Sequence, residues 1–199
     1  GTLAGQVRGG RLVRPEGGAL GGHNMRAIRT GCGDHSTSSS WSLLQAAVCE
    51  SGLDDPLPAV LPWGMASDIA YGPAGACVIG RDTRDPALWK RYRGGTTGHF
   101  WIDRDGSGNF KRLQIAGLGS KGSNLAFPMW IGERIWFVSD HEGIGNLYSC
   151  DAEGQGLRRH TEHVEHYVRN ATSDGRSIVY QCGGEIFLLD LAEGVARLL

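Results

Sequence analysis

Residues 132 to 154 read GERIWFVSDHEGIGNLYSCDAEG. A glycine opens the stretch, and Ile135 to Val138 follow as an unbroken apolar run. Asn146 to Cys150 form a second, largely apolar segment, closed by the polar turn DAEG. Strict alternation of apolar and polar residues would indicate a strand with one face in water. A continuous run instead suits a strand covered on both faces, as happens where sheets stack on one another.

The same unit recurs on either side. GACVIG (Gly75 to Gly80) and GRSIVYQ (Gly175 to Gln181) repeat the glycine turn, with the strand centre three residues on. Each is followed by a second apolar strand and a polar turn, HFWIDRDG (His99 to Gly106) and EIFLLDLAEG (Glu185 to Gly194). Phe100 to Leu147 is 47 residues and Leu147 to Ile186 is 39. That period sits near the roughly 40–50 residues of a four-stranded propeller blade. Asp105–Gly106 and Asp174–Gly175 can supply the positive backbone angles of tight hairpins between antiparallel strands. These features predict an all-β chain forming a partial β-propeller of about three four-stranded blades, over 66–113, 125–161 and 164–199. A single twisted sandwich is the competing architecture.

Bulk properties narrow the rest. The chain has 199 residues, enough to bury a core, and 20 basic against 21 acidic side chains give a net charge of −1. That balance gives no reason to expect nucleic acid or an anionic membrane as partner. No apolar run approaches the roughly 18 residues that span a bilayer. The five cysteines are scattered, with no CxxC pair, so a structural zinc site is not indicated. No charged and apolar leader precedes the first residues, so a reduced, cytoplasmic protein is expected. The missing initial methionine fits a piece of something longer.

Residues 1–52 read differently from 53–199. Glycines are dense here and arginines scattered, and the segment receives no fold or function. Its one apolar pattern, Ser40 to Cys49 (SWSLLQAAVC), fits a short helix, and Ser36 to Ser40 a loop or helix start.

Three segments carry a family likeness. RYRGGTTGHFWID (Arg91 to Asp103), IWFVSDHEGIGNLYSCDAEGQGLRRHT (Ile135 to Thr161) and VRNATSDGRSIVYQCGGEIFLLD (Val168 to Asp190) resemble the N-terminal six-bladed propeller of tricorn proteases. The second block alone is also similar to TolB-like propellers. The likeness runs from about Pro56 to Leu199 and does not extend into the first 50 or so residues. It implies a propeller portion of a cytoplasmic serine peptidase that assembles as a hexamer and degrades short peptides left by the proteasome. In that family catalysis lies in a C-terminal region absent from this chain, and the propeller channels peptides and scaffolds assembly. The implied partners are therefore such peptides, the remainder of the peptidase chain, and further copies of it. Basic propeller residues of the family help anchor the peptide C-terminus. Arg8 and Arg11 fall in that zone, but no motif selects them, so no substrate-binding residue is assigned. The alternative function is a stand-alone propeller that serves as a protein-interaction module without peptidase activity.

Four stretches invite a chemical reading. HTEHVEH (His160 to His166) offers His and Glu in the style of a metal site. On a strand, however, His160 and His166 share a face and His163 points away, and the HExxH spacing of a zincin helix is missing. It reads as a connection between blades. SDHEG (Ser139 to Gly143) and TSDG (Thr172 to Gly175) contain residue types of a serine triad but read as hairpin turns, with no GxSxG elbow. DRDGSGN (Asp103 to Asn109) resembles a calcium loop, yet Gln114 stands where the bidentate glutamate is needed. WKRYR (Trp89 to Arg93) mixes aromatic and basic residues as a nucleic-acid stack does, but it is short and lies in a near-neutral chain. Catalytic, metal and cofactor residues are accordingly expected to be none, and no cofactor is called for.

Overall fold

The computed structural model describes residues 12–13, 26–30, 47–52, 59–119 and 123–199. The chain divides into two compact units, Gly1–Ala66 and Ser67–Leu199. In the first, β1 (Leu12–Val13), β2 (Arg26–Thr30), β3 (Ala47–Gly52) and β4 (Ala59–Met65) form an antiparallel sheet in the order β1-β2-β3-β4. The end of the stretch read as a helix is a strand instead: Cys49 pairs with Arg29 on one side and Val60 on the other. Ala47 to Cys49 are small or apolar throughout, a pattern that a buried strand satisfies as well as a helix. Val48 is fully buried. Ser36 to Ser40, Arg8 and Arg11 lie outside the described residues.

The second unit contains three four-stranded antiparallel sheets, and every one is a plain meander. The first joins β5 (Asp68–Tyr71), β6 (Cys77–Arg81), β7 (His99–Asp103) and β8 (Lys111–Arg112). The second joins β9 (Leu125–Ile131), β10 (Arg134–Ser139), β11 (Asn146–Cys150) and β12 (Arg158–Arg159). The third joins β13 (Arg169–Ser173), β14 (Ser177–Cys182), β15 (Glu185–Asp190) and β16 (Val195–Leu198). The leading strands lie side by side, β5 against β9 and β9 against β13, and form the inner edge of the stack. Gly106 and Gly175 adopt φ of 72° and 89°, as the Asp-Gly turns require. Asp174 fixes its turn by accepting the Arg176 and Ser177 amides, both at 2.8 Å.

The unbroken run in β10 is explained by its place in the middle sheet. Ile135 and Phe137 pack on Val78, Phe100 and Ile102 of the first sheet. Trp136 and Val138 face the other way, onto Ile178, Tyr180 and Leu189 of the third. Both faces of one strand are thus core, and Phe137 and Val138 are fully buried. Burying a side chain of this size stabilises by roughly 1.5–3 kcal/mol. The similar run in β15 behaves differently. Leu189 is buried, but Ile186 lies on the face of β15 turned away from the second sheet and is 47% exposed. No helix among the described residues is long and apolar enough to cross a membrane.

Candidate functional site

In a meander, the second-to-third-strand loop and the link to the next sheet fall at the same end. The β6–β7 loop, the β10–β11 turn, and the β8–β9 and β12–β13 connections therefore share one end of the second unit. The turns there are short in the second and third sheets, 140–145 and 183–184, whereas β6 and β7 are joined by residues 82–98. A loop of that length needs partners for its backbone and polar side chains.

It finds them at the start of all three inner strands. Thr83 donates its hydroxyl to Asp68, the first residue of β5, at 2.5 Å. The Trp89 carbonyl accepts from Nδ2 of Asn124, which precedes β9, at 3.0 Å. Asp85 meets Nε of Arg169, the first residue of β13, at 2.6 Å. The loop is thus tied to three consecutive inner strands across 84 residues of sequence.

Asp140 is the centre of this arrangement and is fully buried. Its carboxylate accepts the Arg91 amide at 2.9 Å, Arg93 Nη1 at 2.9 Å and the Asn124 amide at 3.1 Å. Arg93 Nη2 also donates to the Asp140 carbonyl at 2.9 Å. A buried carboxylate is tolerated when paired and hydrogen-bonded in this way. The RYRGGTTG sequence has a physical meaning here. Arg93 is the clamp, Arg91 takes a left-handed φ of 56° as its amide turns to Asp140, and Gly98 lies where a Cβ would come 2.5 Å from the Leu125 carbonyl. Lys90 Nζ sits 5.6 Å from the Tyr167 ring centre, and the Tyr167 hydroxyl donates to the Gly143 carbonyl at 2.8 Å.

The tempting stretches of sequence resolve into structural roles. Ser139 Oγ does lie 2.8 Å from His141 Nδ1, but Ser139 is fully buried, shares its hydroxyl with Ser123, and cannot meet a substrate. Burial lowers the His141 imidazole below its ordinary value. The adjacent Asp140 carboxylate is already occupied by the loop. In TSDG, Ser173 and Asp174 bond their own turn.

The three histidines of HTEHVEH go separate ways. His160 bonds Ser149 Oγ at 2.8 Å and lies against Trp136, ring centres 4.0 Å apart. Burial, with Arg134 and Arg158 nearby, pushes its pKa down to about 4. His163 pairs with the Tyr180 hydroxyl at 3.0 Å, and its amide donates to Asn146, joining the second and third sheets. His166 is exposed, and its carbonyl accepts from Cys182 Sγ. In DRDGSGN, Asp103 accepts the Gly108 amide at 2.7 Å and Asp105 the Ser107 amide at 3.1 Å, which closes the β7–β8 hairpin. No His/Cys/Asp/Glu group among the described residues is arranged to hold a metal ion.

Asp85, Asn124 and Arg169 were not singled out from sequence, and Asp140 was weighed only as part of the SDHEG turn. Their partners across the 82–98 loop lie 35 to 84 residues away, beyond any local pattern. The length of 82–98 against the short 140–145 turn is the signal that could have pointed to them.

Consecutive four-stranded meanders with adjoining leading strands define a β-propeller of the TolB-like kind. The TolB structure from Acinetobacter baumannii matches 88% of this chain and 40% of its own length at TM-score 0.58 and 13% identity, a likeness of fold alone. The chain belongs to the family of the tricorn protease N-terminal beta propeller domain, whose model matches residues 35–195. That match reaches back into residues 35–52, which the sequence resemblance had left out. Tricorn protease homolog 1 of Streptomyces coelicolor is 46% identical over 142 residues, covering 71% of this chain and 13% of that protein. The tricorn protease of Thermoplasma acidophilum is 38% identical over 127 residues, covering 64% of this chain and 11% of that one. The crystal structure of the tricorn protease superposes at TM-score 0.71 and 30% identity, over 88% of this chain and 16% of its own. The chain therefore spans only about an eighth of the length of these curated relatives.

Proposed function

We propose that this chain is the propeller section of a serine peptidase that degrades short peptides, and that it conducts peptides and supports assembly while hydrolysis takes place elsewhere. The observation that carries this reading is the gathering of three inner-strand entries under one tied loop, in a chain similar to tricorn proteases. Adjoining inner strands suit the wall of a passage for a short chain, and the sheet stack suits docking. The peptides acted on, the hexameric assembly and the cytoplasmic setting belong to the same proposal. So do the blade limits 66–113, 125–161 and 164–199. The test compares short-peptide turnover by this chain alone and by the protein that carries it. Turnover by the larger protein and none by the chain supports the reading. Turnover by the chain alone overturns it.

A further inference from the structure

Each tie described above turns a polar side of the 82–98 loop toward the inner strands, and what remains outside is distinctive. Leu88 is 67% exposed and Trp89 is 54% exposed, adjacent in sequence and unsheltered. Trp89 is held in place, with the Tyr92 ring edge-on at 5.1 Å and its carbonyl bonded to Asn124. Three cations lie on the same loop, next to this pair in sequence or in contact with it. Arg84 lies over the Trp89 ring with Cζ 5.9 Å from its centre. Lys90 stands over Tyr167. Arg91 is exposed, its left-handed backbone is pinned by Asp140, and its guanidinium forms no hydrogen bond or ion pair among the described residues.

Among the described residues, no ion pair compensates the charge of Arg84, Lys90 or Arg91. Asp85 is taken by Arg169 and Asp140 by Arg93, both as ion pairs. Asp82, the loop's other carboxylate, directly follows β6 and acts on His99 at the start of β7. A fixed, exposed aromatic beside unpaired cations is the chemistry that recognises an apolar side chain flanked by carboxylates.

We propose that Arg84, Leu88, Trp89, Lys90 and Arg91 form a docking lip at the inner-strand end of the propeller, selecting peptides with acidic side chains beside an aromatic or aliphatic one. This rests on the peptide-conducting reading and adds a charge preference to it. The occupant is an extended acidic peptide bound through its side chains. Exposed charge pairs are individually weak, so discrimination comes from the three cations together, about tenfold in affinity.

The test is fluorescence anisotropy with two labelled hexapeptide amides, alike except that one carries two glutamates and the other two lysines beside a phenylalanine. Amidation removes the terminal carboxylate as a ligand. The acidic peptide is expected to bind at least about tenfold tighter at low salt, with the advantage fading as salt rises. The triple variant Arg84→Gln, Lys90→Gln, Arg91→Gln is expected to abolish the preference, and Trp89→Ala to weaken acidic-peptide binding about tenfold. All four side chains are exposed, and unchanged circular dichroism confirms that the variants fold. Equal binding of both peptides, unaffected by the variants, overturns the lip and leaves the conducting role standing. No binding of either peptide overturns both.

Discussion

Arg93 Nη1 lies 2.9 Å from Oδ1 of Asp140, and Nη2 of the same guanidinium lies 2.9 Å from the Asp140 carbonyl. One arginine therefore grips both the side chain and the backbone of a fully buried aspartate in the neighbouring sheet. Replacing Asp140 by Ala strands the Arg93 charge and leaves the Arg91 and Asn124 amides without their acceptor. Loss of one partner of a buried pair costs about 3–5 kcal/mol. Arg93 is 24% exposed, which places the expected loss at the lower end. Arg93→Lys loses the two-pronged grip but keeps the charge, so it is expected to cost less. Guanidinium denaturation of the three proteins measures both.

Phe137 lies in the core between the first and second sheets, edge-on to Phe100 with ring centres 5.6 Å apart. Phe137→Ala is expected to destabilise by about 3–5 kcal/mol, the range for an aromatic removed from a closed core. Val164, 77% exposed, is the control, and Val164→Ala is expected to stay within about 0.5 kcal/mol.

These core residues were legible in sequence because a strand between two sheets must be apolar on both faces, and Ile135 to Val138 carry that signature openly. Asp174–Gly175 was legible because an Asp-Gly turn is a local device. The N-terminal sheet was not. Leu12–Val13 is too short to show a period, and Ala47 to Cys49 satisfies helix and strand alike. Nor were Asp85, Asp140 and Arg169, whose meaning depends on residues far along the chain. The family likeness pointed to RYRGGTTG without its cause, which is the Asp140 clamp and the closeness of Gly98 to Leu125.

Gly98 and Gly95 offer a contrast within one loop. A Cβ at Gly98 would meet the Leu125 carbonyl at 2.5 Å, while one at Gly95 would meet nothing within 4 Å. Gly98→Ala is expected to cost about 1–3 kcal/mol, because the atom it meets is backbone of β9 and must move. Gly95→Ala is expected to be close to neutral. Thermal unfolding of the pair separates the two outcomes.

His160 makes stability depend on pH. Its pKa falls from 6.5 to about 4 on folding, so between these values the unfolded chain holds a proton that the folded chain refuses. Stability from this group is full above about pH 6.5 and declines as pH falls toward about 4. His141 and His163 are shifted in the same direction and add to the slope. Denaturation midpoints from pH 7.5 to 4.5 are expected to fall for the parent and to fall less steeply for His160→Gln.

Val179, Ile186, Leu188 and Val195 share the outer face of the third sheet, with Ile186 and Val195 47% and 56% exposed. An apolar sheet face and open strand edges invite self-association. Light scattering is expected to show association of this chain above micromolar concentration, relieved by Ile186→Lys with Val195→Glu. A monodisperse parent would contradict this.

The central claim is that residues 82–98 tie three inner strands at one end of the propeller. Amide hydrogen exchange tests it most directly, at the Arg91 amide, whose acceptor is the buried Asp140 carboxylate. That amide is expected to be protected to within about tenfold of the β9 and β10 amides, and to lose protection in Asp140→Ala. Exchange of the Arg91 amide at the rate of an unstructured chain, with β9 and β10 still protected, would contradict the account.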